Sequence, residues 1–161
     1  NGGEGTNTVD YSISAKGVLV NLGNTQNLNG ITVLAGTARD GLVGTDTLLA
    51  IENVTGSAYN DFICGDMADN LLDGSTGNDW LYGGGGADTF VYRADGGADT
   101  IADYDDGSDR LRLVGAGATS FNDLTLADTA DGATISYGGQ TLFTLTGANK
   151  AILDSSDFQF N

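Results

Sequence analysis

The chain has 161 residues and a mass of 16.4 kDa, with 6 basic against 22 acidic side chains, a formal charge of −16 and a pI near 4.1. Histidine and proline are absent and there is one cysteine, so no serine–histidine triad, cysteine–histidine pair, histidine zinc site or internal disulfide can be assembled from it. The charge argues against nucleic acid and anionic membranes as partners and for cations, and no apolar run approaches the roughly 20 residues of a membrane-spanning helix.

A hydrophobic content of 40% is enough for a packed core, yet −16 resists compaction. Together these predict a fold that closes only with counterions. The first thirty residues lack a basic start followed by an apolar stretch, so no signal peptide is expected. The chain starts at Asn1 and reads as a piece of something longer.

Residues 1–12 contain GGEGTNTVD, with Gly2, Asn7 and Val9 at the first, sixth and eighth places of a nonapeptide. Residues 13–47 interrupt this pattern with two strand-like runs, VLVNL and ITVLAG, joined by Asn/Gly-rich turns. Residues 48–113 form the repeat core. DTLLAIENV leads in, with Leu48, Ile51 and Val54 expected to point inward. Four nonapeptides then follow without a gap over 56–91: GSAYNDFIC, GDMADNLLD, GSTGNDWLY and GGGGADTFV. Position 1 is always glycine, position 6 is Asp61, Asn70, Asp79 and Asp88, and position 8 is Ile63, Leu72, Leu81 and Phe90. Two looser units place Asp99 with Ile101 and Asp109 with Leu111. Residues 114–161 alternate apolar and polar side chains over LTLAD, ATISYGGQTLFTL and AILDSSDFQF. Gly138-Gly139 is a two-residue hairpin turn, and the region reads as an antiparallel cap.

The repeat has a direct physical reading. Six residues rich in Gly, Asn and Asp make a turn, because these accept positive φ cheaply. The remaining three make a short strand whose middle side chain points inward. Two nonapeptides complete a flattened coil of eighteen residues, which sets Asp61 over Asp79 on one edge and Asn70 over Asp88 on the other. Coils stack about 4.8 Å apart, so the carboxylates repel unless a cation lies between them. Carboxylates and turn carbonyls are hard oxygen donors, which suit Ca²⁺ better than Zn²⁺ or Mg²⁺.

These nonapeptides resemble the GGxGxDxUx repeat of the RTX (repeats-in-toxin) calcium-binding family, GSTGNDWLY and GGGGADTFV most fully. LDSSDFQF resembles the end of the C-terminal domain in serralysin-type proteases and alginate epimerase modules. The resemblance implies an all-β fold, a parallel β-roll stapled by several Ca²⁺ ions with a C-terminal antiparallel cap. It also implies the ligand sets. Asp61 and Asp79 would act with the carbonyls of Ser57, Tyr59, Gly74 and Thr76. Asp88 and Asn70 would act with those of Asp66, Ala68, Gly83 and Gly85. Asp79 with Asp99, and Asp88 with Asp109, would add the carbonyls of Gly77 and Gly86. Asn70 and Asn7 depart from the carboxylate, and Tyr59 and Ala68 from the position-4 glycine, which weakens the outer sites. The acidic run Asp95–Asp109 is interrupted by Ile101 and Tyr104 and followed by Leu111, and is expected to ligate rather than to form a solvated tract.

The function implied is a non-catalytic calcium-responsive module, which folds outside the cell and serves secretion and stability of a larger bacterial protein exported by a type I system. Catalysis is expected in a neighbouring domain. The alternative is a carbohydrate-binding or adhesin module. Phe62, Cys64, Trp80 and Tyr82 fall on one outer face, and Phe62, Trp80 and Tyr82 there would stack on a neutral glycan. The competing reading is that residues 13–45 or the C-terminal strands cover that face. Cys64, with no base or second cysteine nearby, is expected to be a small apolar residue.

Overall fold

A computed structural model describes residues 1–28, 31–41 and 44–161. The described residues are all-β, with three single-turn 3₁₀ helices and no α-helix. The first strands are β1 (Thr8–Asp10), β2 (Leu19–Asn21), β3 (Gln26–Leu28), β4 (Ile31–Val33), β5 (Thr37–Arg39) and β6 (Asp46–Thr47). The repeat region supplies β7 (Asn53–Thr55), β8 (Phe62–Cys64), β9 (Leu71–Asp73), β10 (Trp80–Tyr82), β11 (Thr89–Arg93), β12 (Asp99–Ile101) and β13 (Arg110–Val114). The last are β14 (Thr125–Asp128), β15 (Gly132–Tyr137), β16 (Gln140–Thr146) and β17 (Phe158–Phe160).

Successive repeat strands alternate between two sheets. One sheet runs β1-β7-β9-β11-β13-β17 and is parallel throughout. The other runs β14-β15-β16-β12-β10-β8-β2-β5-β6, parallel from β16 to β2 and antiparallel at both ends. Neither closes on itself. Position 8 supplies the core: Val9, Val54, Leu72, Phe90, Leu111 and Phe158 stack along one sheet, and Val20, Ile63, Leu81, Ile101 and Leu145 along the other. Val54, Leu72, Phe90, Ile63, Leu81, Ile101 and Leu145 are completely buried. Leu48 is buried as well, and Ile51 packs half-buried against the same core.

Two places differ from the sequence reading. VLVNL was expected in the interruption, but β2 lies inside the roll: Leu19, Val20 and Asn21 pair in parallel with Phe62, Ile63 and Cys64. Val20 holds position 8 there without a glycine or aspartate to mark the unit. The departure from the roll begins after it, with the β3–β4 hairpin and the return through β5 and β6. Asn29 and Gly30, in the turn expected between the two runs, lie outside the described residues. At the other end, Gly138 and Gly139 have φ of 59° and 86° and join β15 to β16, the left-handed pair a two-residue hairpin requires.

Candidate metal centre

The strand register places the position-6 residues in two columns. Val18, Asp61 and Asp79 precede strands of the mixed sheet and Asp99 opens β12, while Asn7, Glu52, Asn70, Asp88 and Asp109 precede those of the parallel sheet. Within each column the side chains and backbone form a ladder. Asp61 N–H donates to Asp79 Oδ1 at 2.8 Å, and Asp79 N–H to Asp99 Oδ1 at 3.1 Å. Asn70 N–H donates to Asp88 Oδ1 at 2.8 Å, and Asp88 N–H to Asp109 Oδ1 at 3.0 Å. Both columns continue where the sequence motif stops: Val18 N–H donates to Asp61 Oδ1 at 2.7 Å, and Asn7 N–H to Glu52 Oε2 at 2.7 Å. Glu52 was not a sequence candidate. Its signal is its place eighteen residues before Asn70, directly preceding Asn53-Val54-Thr55.

The remaining oxygens separate the sites. Asp61 Oδ2 accepts from Ser57 N–H at 2.5 Å, while its Oδ1 also takes the Ser57 hydroxyl at 2.7 Å. Asp109 Oδ2 accepts from Asp105 N–H at 2.9 Å, and Asn70 Oδ1 from Asp66 N–H at 2.7 Å. Asn70 further donates its amide to the Glu52 carbonyl at 2.8 Å. In the next coil the equivalent donors are engaged elsewhere. Ser75 N–H turns to Asp73 Oδ1 at 3.0 Å, and Gly84 N–H to Asp103 Oδ2 at 2.8 Å. Asp79 Oδ2 is therefore buried with no hydrogen-bond partner, and among the described residues no hydrogen bond reaches Asp88 Oδ2. Asp73 and Asp103 are thus part of the site, although nothing in the nonapeptide template distinguishes them.

Glycine at position 1 is required by the carboxylates. A β carbon on Gly74 would fall on the Asp79 carboxylate, one on Gly83 on the Asp88 carboxylate, and one on Gly56 on Asp61 Oδ2. The Gly74 carbonyl oxygen also approaches Gly56, and the Gly83 carbonyl oxygen approaches Gly65 beside Asn70 Oδ1. Within the turns, the Tyr59 carbonyl lies against Gly77, that of Ala68 against Gly86, and that of Gly77 against Gly97. The Asp66 carbonyl accepts from Gly85 N–H at 2.8 Å. Ser57 is buried beneath Asp61, and Thr76 is half-buried in its turn. The predicted ligands therefore lie along the two turn edges, with Asp61, Asn70 and Asp109 already engaged by protein donors and Asp79 and Asp88 not.

Burial in this carboxylate-rich setting raises the proton affinity of the columns. Desolvation, with repulsion from Asp99, Asp61 and Asp73, lifts Asp79 to about 8. Asp99 and Asp88 rise to about 7, again chiefly by burial, with Asp73 and Asp61 adding to the first and Asp109, Asp103 and Asp69 to the second. Asp61, Asp103 and Asp109 shift upward for the same main reason.

The residues present fit a hard cation. An unpartnered buried carboxylate oxygen costs free energy that a bound cation offsets. Glycine hollows hold carboxylate and carbonyl oxygens close together at this point. Among the described residues no three Asp, Glu, Cys or His side chains converge, so carbonyls would have to supply most of the donors to a cation held here. Oxygen-only donor sets of that kind belong to Ca²⁺ chemistry.

On the outer face of the mixed sheet Leu19, Phe62, Trp80 and Thr100 form one row. Trp80 is 43% exposed, Phe62 and Tyr82 are half-buried, and Cys64 is 2% exposed. Cys64 thus departs from the open face expected for it. Its register neighbour Asn21 donates to the Asn24 and Val33 carbonyls, which ties the β3–β4 hairpin over this part of the sheet. Burial pushes the Cys64 thiol up to about 12, so it is inert as a nucleophile.

The fold and these columns define an open, all-β roll with carboxylate-lined edges. No family model and no curated protein matches the chain. Among solved structures it is similar to the AlgE6R2 subunit of the mannuronan C5-epimerase from Azotobacter vinelandii, at 24% identity and a TM-score of 0.56, covering 97% of this chain and 92% of that one. It is also similar to an extracellular lipase from Serratia marcescens, at 21% identity and a TM-score of 0.53, covering 98% of this chain. The chain spans about a third of that lipase, 33% of its length. The likeness at these identities is one of fold.

Proposed function

We propose that this chain is a non-catalytic, calcium-stabilised folding module of a larger protein exported from a bacterial cell, in the manner of RTX domains. The observation that carries the reading is the buried, unpartnered Asp79 Oδ2 within a column of carboxylates held one coil apart. Asp79, Asp88 and Asp99 would hold the ions, with turn carbonyls including those of Gly74, Thr76, Gly77, Gly83, Gly85 and Gly86. Asp61, Asn70 and Asp109 serve the ladder and the turn donors first. When bound, Ca²⁺ supplies the positive charge that the stacked carboxylates lack. The likeness in fold to part of an extracellular lipase supports an extracellular setting, with any catalysis in another domain.

The energetics suit a switch between compartments. Extracellular calcium modules bind with Kd of about 10⁻⁴–10⁻³ M. At millimolar calcium each site then contributes roughly 0.4–1.4 kcal/mol, and several sites together match a sizeable part of ordinary domain stability. At cytosolic calcium of about 10⁻⁷ M that contribution vanishes and the repulsion of −16 remains. A chain left unfolded inside the cell would pass an export channel and fold beyond it.

Far-ultraviolet circular dichroism during a calcium titration from chelator, with magnesium as control, tests this. The expected result is a cooperative coil-to-β transition near millimolar calcium that magnesium does not reproduce. A complete β spectrum in chelator, unchanged by calcium, overturns the proposal.

A further inference from the structure

We infer that the outer face of the mixed sheet binds a neutral polysaccharide, with the Trp80 indole as stacking platform and the cleft beside Tyr82 as its hydrogen-bonding subsite. Trp80 is the chain's one tryptophan and is 43% exposed. It lies between Phe62 and Thr100 in a row perpendicular to the strands. Tyr82, two residues on, projects from the same face. There the first turn of the excursion meets the roll and leaves a cleft of about 120 Å³, walled by Asn24 and Gln26 on one side and by Asp66 and Met67 on the other.

The chemistry of this strip selects the ligand. An exposed indole presents an apolar plane to the C–H face of a pyranose. The Asn24 and Gln26 amides both donate and accept, and the Asp66 carboxylate accepts, which suits vicinal hydroxyls. The cleft lies beside the aromatic row, where it can receive the hydroxyls of a ring stacked on Trp80. A protein partner would need a broad apolar patch, whereas Arg39 and Thr100 bound the row Leu19–Phe62–Trp80. A polyanion is repelled by Asp66 at the cleft. Strand alternation points Trp80 away from the position-6 columns, so the stacking platform is separate from the calcium sites, while the cleft borders the Asp66 turn.

Fluorescence of the single tryptophan provides the test, in millimolar calcium with the β spectrum checked first. Soluble neutral glucan, mannan and galactan are titrated in turn beside a polyuronate. At least one neutral polymer is expected to give a saturable blue shift that survives high salt. Trp80→Ala, followed by affinity electrophoresis, is expected to weaken retention by about tenfold or more, the loss of one good stacking contact. Gln26→Ala should weaken it several-fold with an unchanged β spectrum. Response to none of the neutral polymers, binding of the polyuronate alone, or full retention by Trp80→Ala overturns the proposal. Failure of the calcium reading would appear separately, in the circular dichroism.

Discussion

Asp61 donates its backbone N–H to Asp79 Oδ1 at 2.8 Å, and these residues, eighteen apart, occupy the same place in adjacent coils. The aspartate column therefore has two tasks. One carboxylate oxygen satisfies the buried backbone of the coil before it, and the other is left for a partner that the protein supplies at Asp61 and withholds at Asp79. A side chain with both tasks responds differently to removal of its charge and removal of its oxygens.

Asp79→Asn keeps an acceptor for Asp61 N–H but discards the charge. It is expected to raise the calcium midpoint at least severalfold while leaving the metal-free protein as stable as before or more so. Asp79→Ala also leaves the Asp61 N–H buried and unpaired, at a cost of about 1–3 kcal/mol. Calcium titrations and chelator-state melts of both variants check this. Equal calcium midpoints for Asp79→Asn and the unaltered chain would contradict it.

Acidity acts on the same columns. Asp79, at about 8, and Asp88 and Asp99, at about 7, all lie above the ordinary aspartate value of 3.8. The folded state thus binds more protons than the unfolded chain, and their contribution to stability is fully present below about 4. It is lost as pH rises through 7 to 8. In chelator the protein is expected to be more stable at pH 5 than at pH 8, and denaturant melts at the two values measure this. A midpoint that increases with pH would show that these carboxylates do not govern the metal-free state.

Much of this was legible in sequence because three constraints recur together. Gly, Asp or Asn, and a large apolar residue return every nine places over 56–91, and each has a physical cause visible in the structure: a hollow for the carboxylate, an acceptor for a buried N–H, and a core side chain. Where one cause is met by other means, the motif disappears while the coil persists. Val18 needs no carboxylate because no described coil precedes β2 and calls for an acceptor, and Glu52 supplies its oxygen through a longer side chain. Asp73 and Asp103 were invisible for another reason. Their effect is to divert Ser75 and Gly84 N–H groups, which becomes apparent only once the turns are placed in space.

The glycine hollows make a contrast that composition cannot. Gly74→Ala drives a methyl group into the Asp79 carboxylate and is expected to destabilise by about 1–3 kcal/mol, the usual penalty of overpacking. Gly85→Ala meets only the end of the exposed Met67 side chain, 3.2 Å away, which can move. Its effect should lie within about 0.5 kcal/mol of zero. Thermal melts in saturating calcium compare the two. Equal losses would mean that glycine serves backbone freedom here and not the carboxylate.

The outer face of the parallel sheet offers a test of charge pairing beside the columns. Asp73 is 1% exposed and is held by Arg93, whose Nε lies 2.7 Å and Nη2 2.5 Å from Asp73 Oδ2. Arg93→Ala leaves that carboxylate buried without its cation. The full penalty of breaking a buried pair is about 3–5 kcal/mol, but half of the arginine side chain faces solvent, and water screening should reduce the loss to about 1–2 kcal/mol. Replacing Asp73 by Asn in the same protein removes the stranded charge and keeps the acceptor for Ser75 N–H. The double variant should therefore regain at least half of what Arg93→Ala loses, as read from denaturant melts in saturating calcium. Simple additivity of the two substitutions would mean that Arg93 stabilises the sheet by packing over β9 and not by neutralising Asp73.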